Sequence, residues 1–175
     1  MQAHYWLIIA LFALGGCAAT PQNLRGEFSA LTPQTAQDNN ANGQLVRWGG
    51  ELIKATPGPN ETCFELLGRA LDANGRPASG DKTLGRFLAC APGFYDPTVY
   101  TANRELTVTG TLTDPVTRKV GNYDYHYPQV AAQAVYLWPK RAEIVHGPWD
   151  YRDPFYDPFF SPFGYGHHRN WPYYW

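Results

Sequence analysis

From Gln44 to Trp138 apolar and polar residues alternate in short runs, the period of half-buried strands rather than of helices. In Leu45 to Lys54, Val46, Trp48 and Leu52 share one face. Gly49-Gly50 within this run predicts a bulge or sharp coil. Thr56 to Asn60 reads as a turn, and Glu61 to Leu71 as a second strand. A loop from Asp72 to Asp81, marked by Asn74-Gly75 and Pro77, leads to a third strand, Leu84 to Cys90. Pairing these two strands about a centre between Arg76 and Pro77 puts Phe64, Leu66, Phe87 and Ala89 on one apolar face. The same register sets Cys63 opposite Cys90 and brings Glu65 diagonally near Arg86. Ala91 to Asn103 is a connector with room for one helical turn. Arg104 to Leu112 has the clearest alternation: Leu106, Val108, Gly110 and Leu112 inward, Glu105, Thr107, Thr109 and Thr111 outward. Thr113 to Asn122 reads as a turn region and Tyr123 to Tyr127 as a short strand. Val130 to Trp138, apolar on both faces, reads as a central strand. The chain is thus expected to be mainly β, with five or six strands.

The flanks follow other patterns. Tyr5 to Leu14 is a continuous apolar run, too short to span a bilayer as a helix, which takes about 20 residues. It ends in Leu14-Gly15-Gly16-Cys17, followed by Ala18. This resembles a secretory signal closed by the lipobox of bacterial lipoproteins. The resemblance implies removal of residues 1–16 and acylation of the Cys17 sulfur. Ala18, where Asp is the usual inner-membrane retention mark, implies the outer membrane, with the domain on its periplasmic face. Three acyl chains bury enough methylenes, at about 0.8 kcal/mol each, to make attachment permanent. An uncleaved apolar N-terminus with an incidental cysteine is the alternative. Residues 17–43 are polar and poor in aromatics, and are expected to be a lipidated tether, with a short pairing segment open around Phe28 to Leu31. Residues 44–141 form the β domain. Residues 142–175 are a tail in which 12 of the 29 residues from Gly147 on are aromatic, and its density of Pro and Gly opposes both helix and central strand.

The net charge is −1 and no basic run occurs, which argues against a phosphate-tracking nucleic-acid binder. In an oxidising compartment Cys63 and Cys90 form an even pair suited to a disulfide, with two separately buried thiols as the alternative. His126, His146, His167 and His168 suggest metal only weakly. His167 and His168 are adjacent, and neighbours in extended chain point to opposite sides, so no metal site is expected. No nucleophile elbow or phosphate loop occurs. Asp72, Asp81 and Asp96 admit a carboxylate-pair hydrolase, but turn chemistry explains all three more simply. No catalytic residue is expected, and no cofactor beyond the covalent diacylglycerol and N-acyl chains on Cys17. Arg76, Arg86, Tyr95 and Tyr100 are a candidate groove for an anionic or sugar ligand. The simpler expectation pairs Arg86 with Glu65 and leaves Arg76 exposed in a turn.

Several elements together resemble the Slp family of outer-membrane lipoproteins: Val46-Arg47-Trp48-Gly49-Gly50, Leu71-Asp72-Ala73-Asn74-Gly75-Arg76-Pro77, Gly85-Arg86-Phe87-Leu88-Ala89, Gly93-Phe94-Tyr95-Asp96-Pro97 with Tyr100, Val108-Thr109-Gly110, and Gly121-Asn122 with Tyr127-Pro128. The resemblance covers Leu45 to Trp138 and the lipobox. It implies an outer-membrane location and a link to envelope stress or stationary phase, and it implies no catalytic residue. The strand count and the connector after the third strand also resemble a small Greek-key barrel of the OB type, with a β-sandwich as the alternative. The expected function is that of a non-enzymatic envelope lipoprotein, held to the outer membrane by its lipids, with peptidoglycan or another envelope protein as candidate partner and no nucleic acid. A carbohydrate- or peptidoglycan-binding module, using the aromatic tail or the barrel loops, is the alternative.

Overall fold

The computed structural model describes residues 20–38 and 41–142. The Cys17 lipobox, the aromatic tail, His146, His167 and His168 lie outside the described residues.

Five strands close into a barrel: β1 (Leu45–Pro57), β2 (Glu61–Arg69), β3 (Arg86–Pro92), β4 (Glu105–Val120) and β5 (Tyr123–Leu137). Their order around the barrel is β1-β2-β3-β5-β4, with β1 also bonded to β4. All neighbours are antiparallel except β3 and β5. This is a Greek-key barrel of the OB type, as expected. Inward positions follow the alternation of the sequence: Val46, Leu52, Phe64, Leu66, Phe87, Leu106, Val108 and Val130 are buried in one core. The β2–β3 register places Cys63 against Cys90, Phe64 against Ala89 and Leu66 against Phe87, the pairing read from the sequence.

Three local expectations are corrected. The bulge in β1 falls between Leu52 and Lys54, not at Gly49-Gly50. The glycines serve close approach instead: a Cβ on Gly50 would overlap the Leu67 carbonyl, and one on Gly49 would sit 2.6 Å from Leu71. The stretch Thr113 to Asn122 is not a turn region. β4 runs on to Val120 and the predicted short strand at Tyr123 fuses with the last one, so β4 and β5 extend together as a two-stranded arm with its tip at Gly121-Asn122. Asp114-Pro115 at the register shift between Thr113 and Val116 masks the strand pattern there.

The third correction concerns residues 17–43. From Thr20 onward this segment is not a free tether. A 3-10 turn (Gln22–Leu24) and a short helix α1 (Pro33–Asp38) lie against the barrel. Leu24 is fully buried, and Leu31, Ala36 and Ala41 join the core. Trp48 donates its indole N–H to the Leu31 carbonyl at 2.7 Å, and Ser29 N–H reaches Leu45 O at 2.8 Å. A few small apolar residues at the right positions are enough, because the barrel end they cover is already framed by Trp48 and Phe87, which pack edge-on. The opposite end is closed by the β3–β4 connector. Tyr95 and Tyr100 pack on Phe64 with ring centroids 5.3 Å away in each case. The helical turn expected there begins at Asp96, whose carbonyl accepts from Val99 and Tyr100.

Candidate functional site on the outer barrel wall

Outward positions of β2, β3 and β5 converge on one polar cluster. Glu65 on β2 and Arg86 on β3 are outward neighbours, and Arg86 Nη1 donates to Glu65 Oε1 at 2.8 Å. Tyr127 on β5 donates its phenol to the same oxygen at 2.7 Å. Tyr125 accepts the Arg86 backbone N–H at 2.9 Å. Burial works against the charge of Arg86, but bonds with Tyr127 and Glu65 outweigh it and hold the guanidinium above its ordinary value. Burial, then the Glu65 carboxylate, pushes the Tyr127 phenol up. Both groups are therefore fixed in form near neutral pH: Arg86 charged, Tyr127 protonated. The cluster holds donors and acceptors in fixed orientation.

The β4–β5 arm continues the cluster outward. In its ladder Val116 faces Tyr127, Arg118 faces Tyr125 and Val120 faces Tyr123, so these six share one face. Ring centroids are 4.8 Å apart for Tyr125–Tyr127 and 6.5 Å for Tyr123–Tyr125. On the other face Lys119 pairs with Asp124 at 2.7 Å, and His126 bonds to the Thr117 hydroxyl at 2.8 Å.

A second region of the outer wall is covered. The β2–β3 loop folds over β1 and β4, with an isolated bridge from Leu71 to Pro77. Thr107 donates to Gly75 O at 2.7 Å and accepts from the Trp138 indole at 2.9 Å. Arg76 lies over the Trp138 ring, bonds to Glu105 through Nε at 2.7 Å and reaches Pro139 O at 2.7 Å. Beside this cover, a groove of about 310 Å³ separates the N-terminal segment (Phe28, Leu31, Pro33) from the barrel (Arg47, Trp48, Arg69). Its cations are committed: Arg47 bonds to Leu24 O and lies over Phe28, and Arg69 pairs with Glu51 and bonds to Lys82 O.

The sequence-predicted groove of Arg76, Arg86, Tyr95 and Tyr100 is not one site. Arg76 clamps the loop over β4, Arg86 joins Glu65, and the two tyrosines plug a barrel end. Strand order, which the sequence pattern does not reveal, sends them to separate walls. The expectation that Arg76 is exposed also fails, because its side chain is paired and 20% exposed. The pairing of Arg86 with Glu65 is as expected. Asp72 Oδ1 accepts from the backbone of Asn74 and Arg76, and Asp96 Oδ1 from the backbone and hydroxyl of Thr98, which is turn chemistry. The Thr98 backbone bond, then its hydroxyl, hold the Asp96 carboxyl below its ordinary value. Cys63 and Cys90 are joined in a disulfide with Cα atoms 4.0 Å apart. Glu61 lies beside them, but with both sulfurs spent on each other this trio offers no thiolate to a metal. Sequence reasoning missed Tyr125 and Tyr127. The signal was the alternation Tyr123, Tyr125, Tyr127, which puts all three on one strand face.

Among known proteins, the family described as "Outer membrane lipoprotein Slp family" matches residues 14–175, from the lipobox through the segment between it and Leu45 and on past Trp138. The chain is similar to the outer membrane protein Slp of Escherichia coli (strain K12), 30% identical over 153 residues, covering 83% of this chain and 81% of that one. It is similar to the uncharacterized lipoprotein YeaY of the same organism, 28% identical over 158 residues, covering 87% and 80%. An uncharacterized protein of Haemophilus influenzae is 30% identical over 131 residues, covering 73% and 71%. Among solved structures, a small single-stranded DNA-binding protein from Streptomyces coelicolor aligns with a TM-score of 0.36 at 15% identity, over 55% of this chain and 94% of that one.

Proposed function

The chain belongs to the Slp family of outer membrane lipoproteins, and on that premise we propose that it is a non-enzymatic envelope protein: a lipid on Cys17 holds a binding domain at the periplasmic face of the outer membrane, in the service of envelope stress or stationary phase. The family match across residues 14–175 carries this reading. The state of the polar groups supports the non-enzymatic part. Glu65 and Glu105 are in ion pairs, Asp72 and Asp96 serve turns, and the Cys63 and Cys90 sulfurs are bonded to each other.

The test is fractionation of cells carrying the wild type or Cys17→Ala, with mass spectrometry of the mature N-terminus. The wild type is expected in the outer membrane, starting at an acylated Cys17. The variant is expected to leave that fraction. A wild-type protein recovered free of fatty acid would overturn the reading. A second reading, that the domain binds envelope carbohydrate, is favoured by the tyrosine face of the β4–β5 arm.

A further inference from the structure

The tyrosine ladder runs from exposed Tyr123 through half-buried Tyr125 to Tyr127, which is fully buried against the Glu65–Arg86 pair. At its inner end every phenol is tied: Tyr127 to Glu65 at 2.7 Å, Tyr125 to the Arg86 backbone at 2.9 Å. At its outer end Tyr123 is 69% exposed, one of the few large apolar side chains so open among the described residues. Beside the inner end the side chains of Arg86 and Glu65 keep 31% and 22% of their surface in water.

We propose that this surface binds a glycan strand: sugar rings pack on Tyr123 and Tyr125, and their hydroxyls bond to Glu65 and Arg86. A pyranose ring has an apolar C–H face and a polar rim, so it needs an aromatic face with donor and acceptor close beside it. The two phenol bonds and the ion pair supply that order at no further cost on binding, since the groups are held before the ligand arrives. Tyr127 and Arg86 both bond to Oε1 of Glu65, which leaves Oε2 to accept a hydroxyl. The guanidinium is engaged by Glu65 and Tyr127 and has further N–H donors among its five for the same ligand. Other polymers fit less well. A nucleic-acid strand needs a row of unpaired cations along its phosphates; this face carries exposed Arg118, while Arg86 is neutralised by Glu65. A peptide that adds as a strand would pair with the edges of the two-stranded arm rather than stack on its tyrosine face.

The inference rests on reading the domain as a binding module rather than an enzyme. Its test uses the full chain throughout, so that residues 142–175 contribute equally to every sample. The probes are purified peptidoglycan sacculi, in cosedimentation, and a soluble β-1,4-linked N-acetylglucosamine hexamer, in titration calorimetry. The wild type is expected to cosediment and to bind the hexamer. Tyr123→Ala, at an exposed position, is expected to weaken hexamer binding about tenfold with an unchanged melting temperature. Tyr123→Trp is expected to retain it. Glu65→Gln, which keeps the shape but not the charge, is expected to weaken it as well. Equal binding by wild type and Tyr123→Ala would overturn the site while leaving a glycan-binding reading intact. Binding by the wild type to neither probe would overturn the ligand class, and Cys17 fractionation would still judge the lipoprotein reading separately. Tighter, salt-sensitive binding of a single-stranded oligonucleotide would overturn it in favour of nucleic acid.

Discussion

The two walls of β4 are buried by opposite means. Inside, Leu106, Val108 and Leu112 meet the core through apolar contact alone. Outside, Thr107 is also fully buried, yet what covers it is a polar loop held by directed bonds from Thr107 to Gly75 and from Trp138 to Thr107, and by the Arg76–Glu105 pair. Apolar burial is proportional to area and tolerates shuffling. A bonded cover is conditional: each buried donor or acceptor that loses its partner costs its desolvation in full. The barrel therefore has a forgiving interior and an exacting exterior.

Substitutions on the two walls sharpen or break this contrast. The largest expected effect is inside. Phe64→Ala empties the site on which Tyr95 and Tyr100 pack and is expected to cost about 3–5 kcal/mol in urea unfolding. A loss below about 1 kcal/mol would mean the plug is not part of the core. Reduction of Cys63–Cys90, on the outer wall, is expected to lower stability by about 3–4 kcal/mol, from the chain entropy of a loop of this length. Calorimetry with and without reductant reads it, and an unchanged melting temperature would count against the bridge. Thr107→Val keeps the shape and removes the hydroxyl between Gly75 and Trp138. A loss of about 1–3 kcal/mol is expected, and a neutral result would show that the cover is held by contact rather than by bonds. Tyr123→Ala, at the open end of the arm, is expected to change stability by no more than about 0.5 kcal/mol. The smallest effect is one of pH. The folded Asp96 carboxyl lies below its ordinary value of 3.8, so its contribution is whole above that value and is lost as the pH falls through the folded one. Asp96→Asn is expected to flatten the acid limb of the melting curve; an unchanged limb would deny the Thr98 bonds that role.

What the sequence made legible follows the same division. Alternation marked the inward set from Val46 to Val130, because apolar faces repeat at period two wherever a wall is buried. One register gave the apolar hairpin face, the Cys63–Cys90 pair and the Glu65–Arg86 contact together. The outer cover was not legible. Thr107 and Arg76 have the composition of solvated positions, and their burial is decided by a loop that returns from 32 residues away in sequence. The burial of residues 20–38 was hidden for a related reason. Leu24, Leu31 and Ala36 are too sparse to make a period; Leu31 and Ala36 join the barrel core, while Leu24 is buried beside Gly75 of the β2–β3 loop. The tyrosine ladder was readable as alternation, but its meeting with Glu65 required the parallel β3–β5 pairing, a non-local contact without a local signature.

The packing of residues 20–38 also fixes a length. Thr20 already bonds through its hydroxyl to Ala73 O at 3.3 Å, and Arg25 bonds back to Thr20 O at 2.8 Å. From a lipid on Cys17 to Thr20 there are three peptide steps, at most about 11 Å of reach. A leash so short leaves little standoff. With the proposed lipid on Cys17, the Thr20–Ala73 side of the barrel is held within about 11 Å of the anchor.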